Sequence, residues 1–111
     1  MENLKGHWKK NYDFRYLAGE DIIKDVTLTI KAVIKDEVES ARGKEEVTAL
    51  HFEETVKLMA LNKTNSRTIS KVVGSPMVES WIGKKIILTQ KNVTAFGGEH
   101  QVIRVKLKKV I

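Results

Sequence analysis

The chain has 111 residues, with twenty Lys+Arg, fourteen Asp+Glu and a formal net charge of +6. That length allows one domain with one small core, and a composition 41% apolar and 31% charged excludes wholesale disorder. No apolar run approaches the roughly 18 residues of a membrane span, no secretory h-region follows Met1, and the lack of cysteine excludes disulfides, thiolate metal sites and thiol nucleophiles. These features predict a cytoplasmic protein that needs no metal or cofactor.

In chain order, residues 1–20 form an N-terminal arm. Trp8, Tyr12, Phe14 and Tyr16 are interleaved there with Lys9, Lys10 and Arg15. Tyr12, Phe14 and Tyr16 alternate, so an extended arm would carry them on one face. Two readings stay open: the arm stacks bases, or it packs across the domain and closes its open end.

Val26, Leu28, Ile30, Ala32 and Ile34 then alternate with polar residues, which predicts a half-buried first strand over 26–35. A polar, turn-like stretch follows over 36–44. Val47, Leu50 and Phe52 mark a second strand over 46–53. Val56, Leu58 and Ala60 predict a third, over 56–61, with those three on one face. Three strands with short connections form an antiparallel meander.

The period changes at Asn62. Ile69, Val72 and Val73 have helical spacing, with Asn62, Thr64 or Asn65 as the cap and Gly74 just past the end. Ser75-Pro76 opens a second short helix, in which Met77 with Trp81 and Val78 with Ile82 are i,i+4 pairs. Strands return over 84–94 and 101–111, joined through a turn at Phe96-Gly97-Gly98. In the last strand Ile103, Val105 and Leu107 face one way, and Arg104, Lys106 and Lys108 the other. The order is three strands, a helix, then two strands. It predicts a mainly β domain over 1–111: a five-stranded, partly open barrel of the oligonucleotide/oligosaccharide-binding (OB) type, with its helix between strands three and four.

Catalytic patterns are absent. His7, His51 and His100 have no metal-binding spacing. Glu45-Glu46 and Glu53-Glu54 flank one strand and read as solvated carboxylates rather than an acid/base pair. No nucleophile elbow, phosphate-binding loop or dinucleotide fingerprint occurs. The sequence therefore predicts a non-enzyme.

Binding features are richer. Residues 83–111 hold seven bases and one acid, while residues 36–54 hold seven acids and two bases. The positive charge belongs to the last two strands and the negative charge to the first half. Arg104, Lys106 and Lys108, with Lys84, Lys85 and Lys91 nearby in sequence, form a ladder that either tracks a phosphate backbone or keeps an edge strand from pairing with other chains. Lys63 and Arg67 lie near a helix start, where unpaired N–H groups attract phosphate, or else on a solvated helix face. Phe96, in the loop between strands four and five, and Trp8 and Tyr12, in the arm, are candidates to stack bases. Trp81 reads as core, and Phe52 as core or binding face. The acidic stretch opposes phosphate if it lines the same groove.

The segments Leu61-Asn62-Lys63-Thr64-Asn65-Ser66-Arg67-Thr68-Ile69 and Gly74-Ser75-Pro76-Met77-Val78-Glu79-Ser80-Trp81-Ile82-Gly83-Lys84-Lys85-Ile86 resemble a family of short phage and prophage proteins. Ala95-Phe96-Gly97, Val102-Ile103-Arg104-Val105, Trp8 and Tyr16-Leu17 fit the same likeness, which spans most of the chain. Gly98-Glu99-His100 is more polar than that pattern. The resemblance implies an OB-like fold, a place among phage replication and recombination genes, and single-stranded DNA binding. Expected partners are thus single-stranded nucleic acid and phage or host replication and recombination proteins. The alternative is a protein-interaction or assembly module without nucleic acid. Uncovered strand edges would also suit a homo-oligomer.

Overall fold

The computed structural model describes residues 16–41, 43–95 and 97–110. The mainly β expectation holds. Five antiparallel strands, β1 (Val26–Ser40), β2 (Gly43–Phe52), β3 (Met59–Ala60), β4 (Lys85–Ala95) and β5 (Gly98–Val105), form one sheet. Helix α1 (Lys63–Val73) lies between β3 and β4 in sequence. The sheet order is β3-β2-β1-β4-β5. No ladder joins β3 to β5 among the described residues, so the expected barrel is replaced by an open sheet.

Strand β1 serves two ladders. It pairs with β4 from Val26↔Leu88 to Thr29↔Lys85. Ile30 extends that contact, its N–H donating to Lys84 O at 2.9 Å and its carbonyl accepting from Gly83 N at 2.7 Å. From Ile30↔Phe52 onward β1 pairs with β2, as far as Ser40↔Gly43.

One extra residue, Lys31, lies between Ile30↔Phe52 and Ala32↔His51. Such a bulge shifts the side-chain alternation by one. Val33, opposite Leu50, therefore packs against the core, and Ile34 is exposed. The unbroken alternation expected from Val26 to Ile34 is corrected beyond Ile30.

The core contains Ile22, Leu28, Ile30, Leu50, Phe52, Met59, Ile69, Trp81, Ile86, Leu88 and Val105. Trp81 is core as expected, its indole N–H donating to Ser75 O at 2.9 Å. Phe52 is core too, which resolves its open assignment. Strand β3 is shorter than expected and presents its other face: Met59 is buried, whereas Val56 is 91% exposed. The short segment after Pro76 is a 3-10 turn over Val78–Trp81, and Met77, Val78 and Ile82 stay exposed. Four residues suffice to bury Trp81 alone, so the i,i+4 pairs do not form a core stripe.

Helix α1 matches its sequence signals. Asn62 Oδ1 accepts from Asn65 N at 2.8 Å, and Gly74 adopts φ 85° while its N–H reaches Ser70 O. Its buried face is Asn65, Ile69 and Val72, one helical stripe.

Asn65 accounts for the missing β3–β5 ladder. It is 2% exposed. Its Nδ2 donates to Ile103 O at 3.0 Å, and its Oδ1 accepts from Val105 N at 3.2 Å. The carboxamide thus satisfies, as a neighbouring strand would, two backbone groups on the edge of β5. The chain before β1 covers more of this gap. Tyr16 bridges Leu58 in parallel, and Leu17 N donates to Leu58 O at 2.7 Å. Gly19 lies directly on the backbone of β5, where a Cβ would stand 2.1 Å from Gln101 O. Gln90 Nε2 from β4 donates to Gly19 O at 2.8 Å. Residues 16–20, the described part of the arm, thus pack along β3 and β5, whereas residues 1–15, with Trp8 and Tyr12, lie outside the described residues.

Candidate nucleic-acid interface

Register decides where the basic residues go. Ile86, Leu88 and Val105 are buried, and Ile103 packs on the same core. Alternation then sends Lys85, Ile87, Thr89 and Lys91 of β4, and Val102 and Arg104 of β5, to the opposite face. Lys106 N donates to Ile87 O at 2.8 Å, which prolongs the ladder by one residue. Lys106 therefore joins Arg104 on that face. Lys85, Lys91, Arg104 and Lys106 form one cationic surface.

Two of these four cations meet acids. Asp25, just before β1, contacts Lys106 Nζ at 2.5 Å. The Lys106 ammonium first, and then the Thr89 hydroxyl, hold the Asp25 carboxyl below its usual range. Lys85 is near enough to Glu54 to favour its charged form. Arg104 Nη1 donates to the neighbouring Ile103 carbonyl. Neither Lys91 nor Arg104 forms a salt bridge among the described residues.

Glu54 is not a freely solvated carboxylate. Thr29 N donates to its Oε1 at 2.7 Å and Thr29 Oγ1 to its Oε2 at 2.6 Å. The Thr29 hydroxyl first, and then the Thr29 N–H, keep this carboxyl below its usual range. Glu54 thereby satisfies the edge of β1 at Thr29, a role that adjacent glutamates at a strand end did not signal.

The rest of the expected ladder is dispersed. Strand β5 ends at Val105, and the Lys108 N–H turns back onto Lys106 O at 2.8 Å. Leu107 is 69% exposed in the bend. Lys108 thus leaves the line of Arg104 and Lys106, because pairing with β4 stops and alternation no longer applies. Lys84 and Lys85 meet Lys109 around a cleft of about 180 Å³ beside Val72, Val73 and Val110. Lys63 and Arg67 line a separate groove of about 570 Å³ with Ser66, Ser70 and Trp81. Phe96, Trp8, Tyr12 and Phe14 lie outside the described residues. Tyr16 is described, and its hydroxyl donates to Asp36.

The acidic stretch is built as an arm. Beyond the last contact with β3, where Leu61 N donates to Thr48 O, β1 and β2 continue as a two-stranded ladder from Asp36↔Val47 to Ser40↔Gly43. Glu37 stands opposite Glu46, and Glu37, Glu45 and Glu46 are exposed. Strands β4 and β5 run past the other end of β1, from Leu88 to a hairpin closed by Ala95↔Gly98. Opposite charges thus leave opposite ends of one strand.

Among the described residues no three His, Asp or Glu side chains converge to hold a metal ion, and no helix is long and apolar enough to cross a membrane. Comparison with protein-family models, with curated proteins and with solved structures gives no match.

Proposed function

We propose that this chain is a non-catalytic OB-like module that binds single-stranded nucleic acid, in the setting of phage replication or recombination suggested by its sequence resemblance. One observation carries the reading: register gathers Lys85, Lys91, Arg104 and Lys106 on one solvent face, away from the acidic arm. Phosphates would lie along this face, and counterion release would drive binding. Lys91 and Arg104 would contribute most, because among the described residues no salt bridge compensates their charges. Phe96, which follows Ala95 in sequence, is the aromatic residue we assign to stacking a base.

The test is fluorescence anisotropy of a labelled oligonucleotide across a salt series. We expect binding at about 50 mM salt whose logarithm falls linearly with log salt. Lys91→Glu with Arg104→Glu should weaken it at least about tenfold, since each change replaces an attraction with a repulsion. No binding at that salt, or binding indifferent to salt, refutes the reading.

A second reading, a protein-interaction module, is favoured by a different surface. A groove of about 480 Å³ is lined by Leu17, Ile23 and Val26 over the core residues Ile22 and Leu28, with Asp21, Lys24, Glu54 and Thr55 at its rim, and Ile23 is 92% exposed at its side. An exposed apolar side chain beside a groove with a polar rim suits contact with another protein. A pull-down that survives nuclease and is lost with Ile23→Asp would favour it.

A further inference from the structure

We propose that the chain associates with itself head to tail, the acidic β1–β2 arm of one copy lying on the basic β4–β5 face of the next. The inference uses the basic face described above and does not depend on nucleic acid binding there.

Three observations lead to it. The first is complementarity. In sequence, residues 36–47 hold five acids and two bases, whereas residues 83–111 hold seven bases and one acid. The second is reach. The arm leaves the rest of the sheet after Lys35↔Thr48 and continues for five residue pairs, about 16 Å at the rise of a strand. It starts from the end of β1 opposite to the one that β4 and β5 pass, so it points away from its own basic face. A second copy has no such restriction.

The third is the state of the arm's edges. Thr48 gives its carbonyl to Leu61, the residue after β3, so Lys35↔Thr48 is a pair that does not exchange hydrogen bonds across the β1–β2 ladder. By alternation, Glu37↔Glu46 is another, so the backbone groups of these two residues point outward, where the Glu37 N–H donates to Asp36 Oδ1 at 2.9 Å. An isolated two-stranded ribbon is marginal in water, and Glu37 facing Glu46 adds like-charge repulsion. A cationic surface laid on the arm relieves that repulsion. Because the two surfaces differ, the contact is heterologous and repeats from copy to copy.

Nuclease-treated protein, checked by absorbance to be free of nucleic acid, would be followed by sedimentation velocity over a concentration series. At about 50 mM salt the mean mass should rise with concentration, and at about 500 mM it should return to that of a monomer, because exposed charge pairs are screened. The arm variant Glu37→Lys, Glu45→Lys, Glu46→Lys and the face variant Lys91→Glu, Arg104→Glu should each remain monomeric. Mixed one to one, they should associate again, since each then offers the charge the other lacks. Both variants keep a positive formal net charge, so bulk attraction cannot produce that recovery. Circular dichroism would establish that both are folded. A wild-type chain that stays monomeric at low salt, an arm variant that assembles like wild type, or a mixture that stays monomeric overturns the inference. If oligonucleotide binding persists in any of these cases, the nucleic-acid reading stands without it. If self-association occurs while oligonucleotide binding fails, only the nucleic-acid reading falls.

Discussion

The Asn65 carboxamide sits where the sheet has no strand, and Asn65→Ala isolates what it does. The change leaves Ile103 O without its donor at 3.0 Å and Val105 N without its acceptor at 3.2 Å. A buried backbone group left unpaired costs about 1–3 kcal/mol. Val105 is buried, whereas Ile103 is half-buried and accessible to water. The N–H is orphaned outright and falls at the upper part of that range, whereas the carbonyl keeps its second donor, Arg104 Nη1 at 3.2 Å, for a loss of about 2–3 kcal/mol. A domain of this size is stable by roughly 5–15 kcal/mol, so the loss is a large fraction of the whole. It should lower the melting temperature by on the order of 10–15 °C.

Urea unfolding followed by far-UV circular dichroism measures this directly, with a lower midpoint at unchanged slope as the expected signature. Thr64→Ala, on the exposed side of the same helix turn, controls for helix propensity. Asn65→Asp adds a second readout. At neutral pH its carboxylate would still accept from Val105 N but would face the Ile103 carbonyl without a donor. Protonation restores an O–H, so the deficit of this variant should shrink as the pH falls toward 4. If Asn65→Ala costs no more than about 0.5 kcal/mol, as a surface change does, the carboxamide is not standing in for a strand.

Three further changes probe other parts of the molecule. Gly19→Ala places a Cβ 2.1 Å from Gln101 O, a backbone atom that cannot rotate away, so calorimetry should show a loss of about 1–3 kcal/mol. Asp25 and Glu54 both have carboxyls lowered in the folded state. Each therefore contributes stability that is complete above the unfolded range, near pH 4, and is lost as the pH falls through the lower folded value. Glu54→Gln should be less stable than wild type at pH 7, and urea midpoints should converge as the pH drops toward 3. Lys91→Ala should reduce the salt slope of oligonucleotide binding by about 0.7, one phosphate contact. Its melting temperature should stay within about 1 °C of wild type, since Lys91 is exposed.

Element type and order are legible from the residues because each segment has its own period. Alternation marks Val26 to Ile30, and Asn62 and Gly74 bracket a helix whose ends need those side chains. Three things were not legible, for three physical reasons. The bulge at Lys31 depends on β1 changing partner at Ile30, a tertiary demand that no local pattern carries. The face of β3 could not be chosen from Val56, Leu58 and Ala60, because Met59 is equally apolar and competes from the other side. Asn65 reads as a cap in the sequence, because its second role needs the edge of β5, 38 residues away. The basic residues followed the same division. Arg104 and Lys106 share a face as alternation requires, but Lys108 does not, since alternation lasts only while a partner strand enforces it.

The split of β1 between two ladders also explains why a chain can hold opposite charges without their cancelling. Had β1 paired with β2 and β4 over the same residues, Glu37 and Glu46 would lie alongside Lys85 and Lys91 in one sheet, a strand apart and within mutual attraction. Instead β4 pairs only as far as Thr29, with Ile30 extending the contact, and the β2 ladder begins at Ile30. Seven residues separate Ile30 from Glu37, about 23 Å of extended strand. That is more than twice the screening length of about 8–10 Å at physiological salt. Within one copy the acidic arm and the basic face therefore hardly sense each other. The acids that remain beside the lysines, Asp25 and Glu54, are those with a structural task at either end of the β1–β4 ladder. Contact between the two large patches is thus left to whatever meets them from outside, either an acidic polymer on the basic face or the arm of a second copy. If both proposals hold, the two occupants would compete for Lys91 and Arg104, and added oligonucleotide would lower the mean mass seen in sedimentation.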